Sequence, residues 1–191
     1  MELMPSDRLQ RVLHAIDEAN TQDPRGYELT YSQWLTGWVK RLDPQAPEEL
    51  LIAGHGQHIR RWEIPREKYP DDRKGYLLWR ETLKGFHAGQ VGTIMRAAGY
   101  PGESAEKAAR IILKKNIRDP ESQTLEDALC LVFLEHQFED LSKKEPEEKM
   151  IEILRKSWRK MGEKGRAEAL KLQLSGPEKS LLQKALSESG K

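Results

Sequence analysis

Apolar side chains recur along this chain at spacings of three and four, the period of an amphipathic helix, and no stretch keeps the strict alternation of a half-buried strand. Leu9, Val12, Leu13, Ile16 and Ala19 mark the first stripe. Ser6 is its candidate cap, and the helix is predicted to end near Asn20, before the turn-rich run from Thr21 to Gly26. His14 lies beside the stripe and reads as a surface or boundary residue. Tyr31, Trp34, Leu35, Trp38, Val39 and Leu42 form one face of a second helix, closed by Asp43-Pro44 because the residue before a proline avoids helical backbone. Pro47 suits the first turn of a third helix, with Glu48 and Glu49 at its positive end. This helix is predicted to continue to about Pro65 and to stack His55 and His58 on one face, between Leu51 and Trp62.

After the turn at Tyr69-Pro-Asp-Asp72, the residues Tyr76, Trp79, Leu83, His87, Val91, Ile94 and Met95 keep helical period up to Gly99. Gly85, Gly89 and Gly92 flank His87, and glycine weakens a helix interior by about 1 kcal/mol, so close packing is expected there. A short helix from about Ser104 to Lys115 follows, then a turn at Arg118-Asp-Pro120. Thr124-Leu-Glu-Asp127 leads into the most apolar segment, where Thr124 and Asp127 have the spacing of a capping box. Glu126, Asp127, Glu135 and His136 are that segment's costly residues, because buried charge must be paired or bound to a cation. Met150, Ile151, Leu154, Trp158 and Met161 mark the next helix, with Arg155, Lys156, Arg159 and Lys160 on its other face. Gly162 and Gly165 break it; one more helix runs through Leu170 to Leu174, and a last one starts at Gly176-Pro177, with a fraying tail. The expected fold is all-α, about eight helices in a single domain over residues 1–191, its core at about 6–162 and its C-terminal helices at 165–188.

Composition narrows the function classes. Thirty-two Lys and Arg balance 31 Asp and Glu, so any basic site is local and extended nucleic acid is disfavoured as a partner. The single cysteine, Cys130, sits in an apolar run, which excludes an internal disulfide and reads as a buried inert thiol. No run approaches the roughly 18 apolar residues of a membrane span, and the N-terminus lacks a signal-peptide pattern. A cytoplasmic protein with no membrane partner is expected.

The order of features then supplies a resemblance. Tyr31-Ser-Gln33 lies on one helix, Gln57-His58-Ile59 ends an apolar one, His87-Ala-Gly-Gln-Val91 lies on a later one, and Glu126-Asp127 opens a buried one. This order resembles the HD-domain superfamily of metal-dependent phosphohydrolases, in which an early histidine, an adjacent His-Asp pair and a late aspartate hold one or two metals. Here the pair looks like Gln57-His58, the extra histidine like His87 and the late aspartate like Asp127, while the early histidine is replaced in the Tyr31 to Gln33 region. Nearly the whole chain also resembles an uncharacterised family, domain of unknown function four-two-zero-two. The segments that carry this are Tyr31-Ser-Gln-Trp34, Gln57 to Arg66, Phe86-His-Ala88, Gln123 to Ala128, Phe133-Leu-Glu-His136 and Ile153 to Lys160.

The HD resemblance implies an HD-like helical array and a metal-dependent hydrolase acting on a phosphate ester or nucleotide. His58, His87, Asp127 and His55 would hold a divalent transition metal such as manganese, zinc or iron, with Asp127 and Glu126 catalytic. Arg60, Arg61, Arg66, Arg80 and Lys84 would clamp the phosphate. An iron oxygenase would use the same residues. The alternative is a non-catalytic HD-like module that has lost the metal and binds a nucleotide, an RNA element or a protein. In either case the expected partner is a phosphorylated small molecule or nucleotide. The competing reading of the arginines is structural pairing with Glu63, Glu67, Asp71 or Asp72.

Overall fold

The computed structural model describes residues 5–114 and 119–187. The side chain of Ser6, together with Lys115, Arg118 and the tail 188–191, lies outside the described residues. Ten α-helices and no strand occur among the described residues, in two compact units, Met1–Ser122 and Gln123–Lys191. None of these helices is long and apolar enough to cross a membrane.

The first unit contains α1 (Pro5–Asn20), α2 (Glu28–Leu42), α3 (Glu48–His55), α4 (Arg73–Ala97) and α5 (Gly102–Leu113). α3 packs against α1, α2, α4 and α5, and α4 lies along α5. Its fully buried core includes Val12, Ile16, Leu35, Val39, Val91 and Met95 from the stripes read in the pattern, together with Leu50, Ile52 and Ile112, which the pattern does not single out. Asp72 caps α4, its carboxylate accepting from Gly75 N at 2.6 Å.

α3 is shorter than expected. It stops at His55, and His58 sits in the following turn, where Gln57 N donates to Gly54 O and Ile59 N to Gly56 O. The cause is Gly56, packed against α4: a Cβ there would stand 2.2 Å from Val91 Cγ2. Only glycine brings the chain this close to α4, so the helix gives way to a turn. Arg60 then adopts left-handed backbone, φ 52°, and its N–H donates to Asn20 Oδ1. Hence His55 and His58 share no helical face. The glycines of α4 also differ from expectation. Gly85 and Gly89 meet nothing within 4 Å and lie on open helix surface, whereas Gly92 is buried and meets only the Arg96 side chain.

The last helix to begin in the first unit, α6 (Pro120–Val132), starts a turn earlier than Thr124, because Asp119 accepts from both N and Oγ of Ser122. Most of its length lies in the second unit, with α7 (Phe138–Ser142), α8 (Glu147–Lys160), α9 (Glu163–Ala169) and α10 (Gly176–Ser187). A π-helical turn, Phe133–Gln137, separates α6 from α7. It turns Glu135 outward and leaves His136 half-buried, the two side chains 3.2 Å apart. This turn and the seven-residue α9 bring the count to ten where the periodicity suggests about eight. The expected helix from Leu170 to Leu174 is instead a turn following α9. α10 packs on α7 and α8.

Candidate functional site

The expected ligand His55 is fully engaged. Its Nδ1 lies 2.7 Å from Thr36 Oγ1 and its Nε2 lies 2.8 Å from Asp17 Oδ1. A carboxylate only accepts, so Nε2 carries the proton, and His55 ties α1 to α2 and α3. Burial lowers its pKa, against the Asp17 charge.

Asp127 is engaged within the second unit. Its carboxylate accepts from Gly162 N at 2.7 Å, Gly165 N at 3.2 Å and Gln123 Nε2 at 2.8 Å, and so caps α9 from a neighbouring helix. A Cβ on Gly165 would lie 2.6 Å from Asp127 Cγ, which explains the glycine there. The neighbouring Glu126 lies 3.6 Å from Lys160. Asp127→Ala is therefore expected to cost about 2 kcal/mol, the scale of a lost cap, as measured by urea unfolding. Unchanged stability with altered metal or ligand binding would return Asp127 to the catalytic role implied by the resemblance.

His58 and His87 do approach each other, their ring centroids 6.1 Å apart in the first unit. His87 is buried on α4, and its Nδ1–H donates to Ile59 O at 2.8 Å, leaving Nε2 buried without a partner. His58 lies flat on Tyr31, centroids 4.0 Å apart and planes 6° apart. Its Nδ1 is 3.3 Å from Glu28 Oε2, yet the pair is off-axis for a hydrogen bond, and both atoms are buried and unbonded. Three buried polar atoms, on three segments linked through His58, thus keep their bonding capacity unused, which calls for an explanation.

Glu28 had no place in the sequence reading; its only signal was an acidic residue in the first turn of an aromatic-rich helix. Asp23 fixes it there, accepting from the N–H groups of Tyr27 and Glu28 at 2.9 and 3.0 Å. Burial raises the Asp23 pKa, and the backbone donors of Arg25, Tyr27 and Glu28 more than offset this, holding it low. Glu28 has no such donors. Burial raises its pKa to about 7, with Arg61 and Arg25 opposing and Asp23 adding to the rise. Burial also keeps both imidazoles neutral. His58 is held well below its usual value, further depressed by the charges of Arg61, Arg80 and Lys114. His87 falls to about 3, through burial and then His58, with Arg61 also lowering it.

These shifts act on stability in opposite directions. Glu28 contributes stability that is full below pH 4.5 and lost as pH rises to about 7. His87 contributes stability that is full above pH 6.5 and lost as pH falls towards 3. Glu28→Gln mimics the protonated carboxyl, so at pH 8 it should stabilise the protein by on the order of 3 kcal/mol, with almost no effect at pH 4.5. Melting curves of both proteins across that range check this; equal displacement at both pH values would show that burial of Glu28 costs nothing.

The basic residues divide into two groups. Arg60 pairs with Glu63 at 3.4 Å, Lys84 with Glu81, and Arg66 with Asp71 at 3.8 Å while donating to Tyr69 O. Glu63 and Asp71 are among the acids named in the structural reading of the arginines, while the Lys84 pair with Glu81 lies outside it. Arg61 and Arg80 have no carboxylate within 4.0 Å among the described residues. Arg61 stacks 4.7 Å above Trp79, whose Nε1–H holds the loop by donating to Ile64 O. Arg80 lies over Tyr76 and donates to its hydroxyl at 3.3 Å. Burial lowers the Arg61 pKa, the Glu28 carboxylate opposes this and Arg80 adds to the fall, so Arg61 lies within the field of both charges.

The expected metal set does not fit this geometry as a preformed centre. His55 and Asp127 are bonded elsewhere, and among the described residues no group of three or more His, Cys, Asp or Glu is placed to hold a metal ion. The charges of Arg61 and Arg80 that act on His58 disfavour a further cation there, with the Glu28 carboxylate 3.3 Å from the ring opposing them. A family model described as domain of unknown function (DUF4202) matches residues 10–182. No curated protein and no solved structure matches the chain.

Proposed function

Because the chain belongs to the DUF4202 family, whose description names no activity, we propose from the geometry that its first unit binds the phosphate of a phosphorylated small molecule or nucleotide. The observation that carries this is that Arg61, over Trp79, and Arg80, over Tyr76, have no carboxylate within 4.0 Å among the described residues and both act on the His58 ring, where His58 Nδ1 and His87 Nε2 are buried and unbonded. A guanidinium presents two parallel donors to phosphate oxygens, and partial burial strengthens such contacts. We take the helical array to be HD-like, with Gln57-His58 standing where that superfamily has its His-Asp pair. On this reading the array keeps a phosphate pocket and relies on side chains in place of a metal.

A thermal-shift screen over inorganic phosphate, pyrophosphate, sugar phosphates and nucleotides tests the proposal. At least one class should raise the melting temperature with saturation, and silence across all classes would dismiss it. The metal-dependent phosphohydrolase is the second reading, favoured by the two unbonded imidazole nitrogens. Manganese, zinc or iron retained stoichiometrically by untagged protein, and lost on His58→Ala or His87→Ala, would establish it in place of the first.

A further inference from the structure

Resting on the phosphate-site reading, we propose that His58 is a phosphoryl acceptor: its Nε2 attacks the phosphorus of a bound phosphate ester while Glu28 orients the ring and takes the Nδ1 proton. The ring is held for this on two sides. Tyr31 stacks flat against it at 4.0 Å, and Glu28 Oε2 faces Nδ1 at 3.3 Å. Nδ1 is sealed from solvent, yet the side chain keeps 18% of its surface exposed, so the reachable edge is the one bearing Nε2. With the Glu28 carboxylate the nearby acceptor, 3.3 Å from Nδ1 though off-axis in this structure, the tautomer that carries its proton on Nδ1 leaves the lone pair on Nε2, and that tautomer is the nucleophile.

The charges around His58 suit the group it would receive. Arg61, Arg80 and Lys114 all act on it electrostatically. Three cations disfavour an imidazolium and favour a dianionic phosphoryl group in the same place. In the step, the Nε2 lone pair forms the N–P bond and the P–O bond to the leaving group breaks with its electrons. The Nδ1 proton passes to the Glu28 carboxylate, leaving a neutral phosphorylated ring. Attack by water on phosphorus then breaks N–P, releases phosphate and returns the proton to Nδ1. The substrate class is therefore a phosphomonoester or phosphoanhydride whose leaving group departs without an acid, such as an aryl phosphate or a nucleoside polyphosphate.

Full-length protein at pH 8, where Glu28 is ionised, is incubated with p-nitrophenyl phosphate and examined by intact-mass spectrometry, with inorganic phosphate binding followed in parallel by thermal shift. A mass gain of one phosphoryl group is expected, lost on acid treatment and kept in base, as a phosphoramidate requires. It should be absent in His58→Gln, kept in His14→Gln, and slowed about tenfold or more in Glu28→Gln, with circular dichroism confirming that each variant folds. Phosphate binding without an adduct in the wild type would overturn the acceptor role and leave the binding site standing. No phosphate binding and no adduct would remove both. An acid-stable adduct, or one that persists in His58→Gln, would place the transfer on another residue and also overturn the proposal.

Discussion

Gly56→Ala is expected to destabilise the first unit by about 1–3 kcal/mol, the range for overpacking a filled core, and to weaken phosphate binding although residue 56 touches no ligand. The added methyl would fall 2.2 Å from Val91 Cγ2 and 3.3 Å from Ile52 O. Val91 is fully buried and β-branched, so its rotamer is fixed on the helix and it cannot swing aside. Relief must come from the turn that carries Gln57, His58 and Ile59. Any movement there shifts His58 on Tyr31 and alters the bond from His87 Nδ1 to Ile59 O. Val91→Ala opens space for the methyl, so the double variant should be less destabilised than the sum of the two single ones. Urea unfolding of all four proteins reads the coupling. Strict additivity would mean that Gly56 is required for its backbone freedom and not for close approach.

This glycine also shows what was legible in the sequence. The apolar stripes of α1, α2, α4 and α8 could be read because their period is local, and each residue's role follows from its neighbours three and four positions away. The end of α3 could not. It is set by Val91, thirty-five positions further on, and nothing near Gly56 distinguishes it from the exposed Gly85 and Gly89 of α4. The candidate site divides in the same way. His58 and His87 are legible as costly polar residues on apolar segments. Glu28 is not, because its burial and its distance to His58 depend on how α2 meets the turn after α3. Asp127 has the chemistry of a ligand in the sequence, and its bonds to Gly162 and Gly165 exist only once α9 folds back on α6.

The second large effect concerns the arginines. Arg61→Lys keeps the charge but loses the planar fork and the stack on Trp79, and phosphate affinity should fall roughly tenfold, since a hydrogen bond between charged groups contributes about 1.5–3 kcal/mol. Arg80→Ala should act similarly, for Arg80 lies on α4 over Tyr76 and, on the proposed reading, contributes to the same anion site. Arg60→Ala should leave affinity unchanged, because that guanidinium is turned towards Glu63. Binding should also weaken as salt is raised, the sign of ion pairing at a partly exposed site. Equal loss in all three variants would indicate a diffuse basic surface and no defined pocket. Calorimetric titration of pyrophosphate into each protein gives the comparison.

Where the anion sits is decided most directly by the histidine ring resonances of the protein followed by NMR while pyrophosphate is added. Five histidines give few signals, and two of them, the exposed His14 and the half-buried His136, serve as internal controls. The His58 and His87 signals should move together and saturate at the calorimetric affinity, with His14 and His136 still, and in Arg61→Lys the same movement should require roughly tenfold more ligand. Saturable binding that leaves both His58 and His87 unmoved would contradict the site.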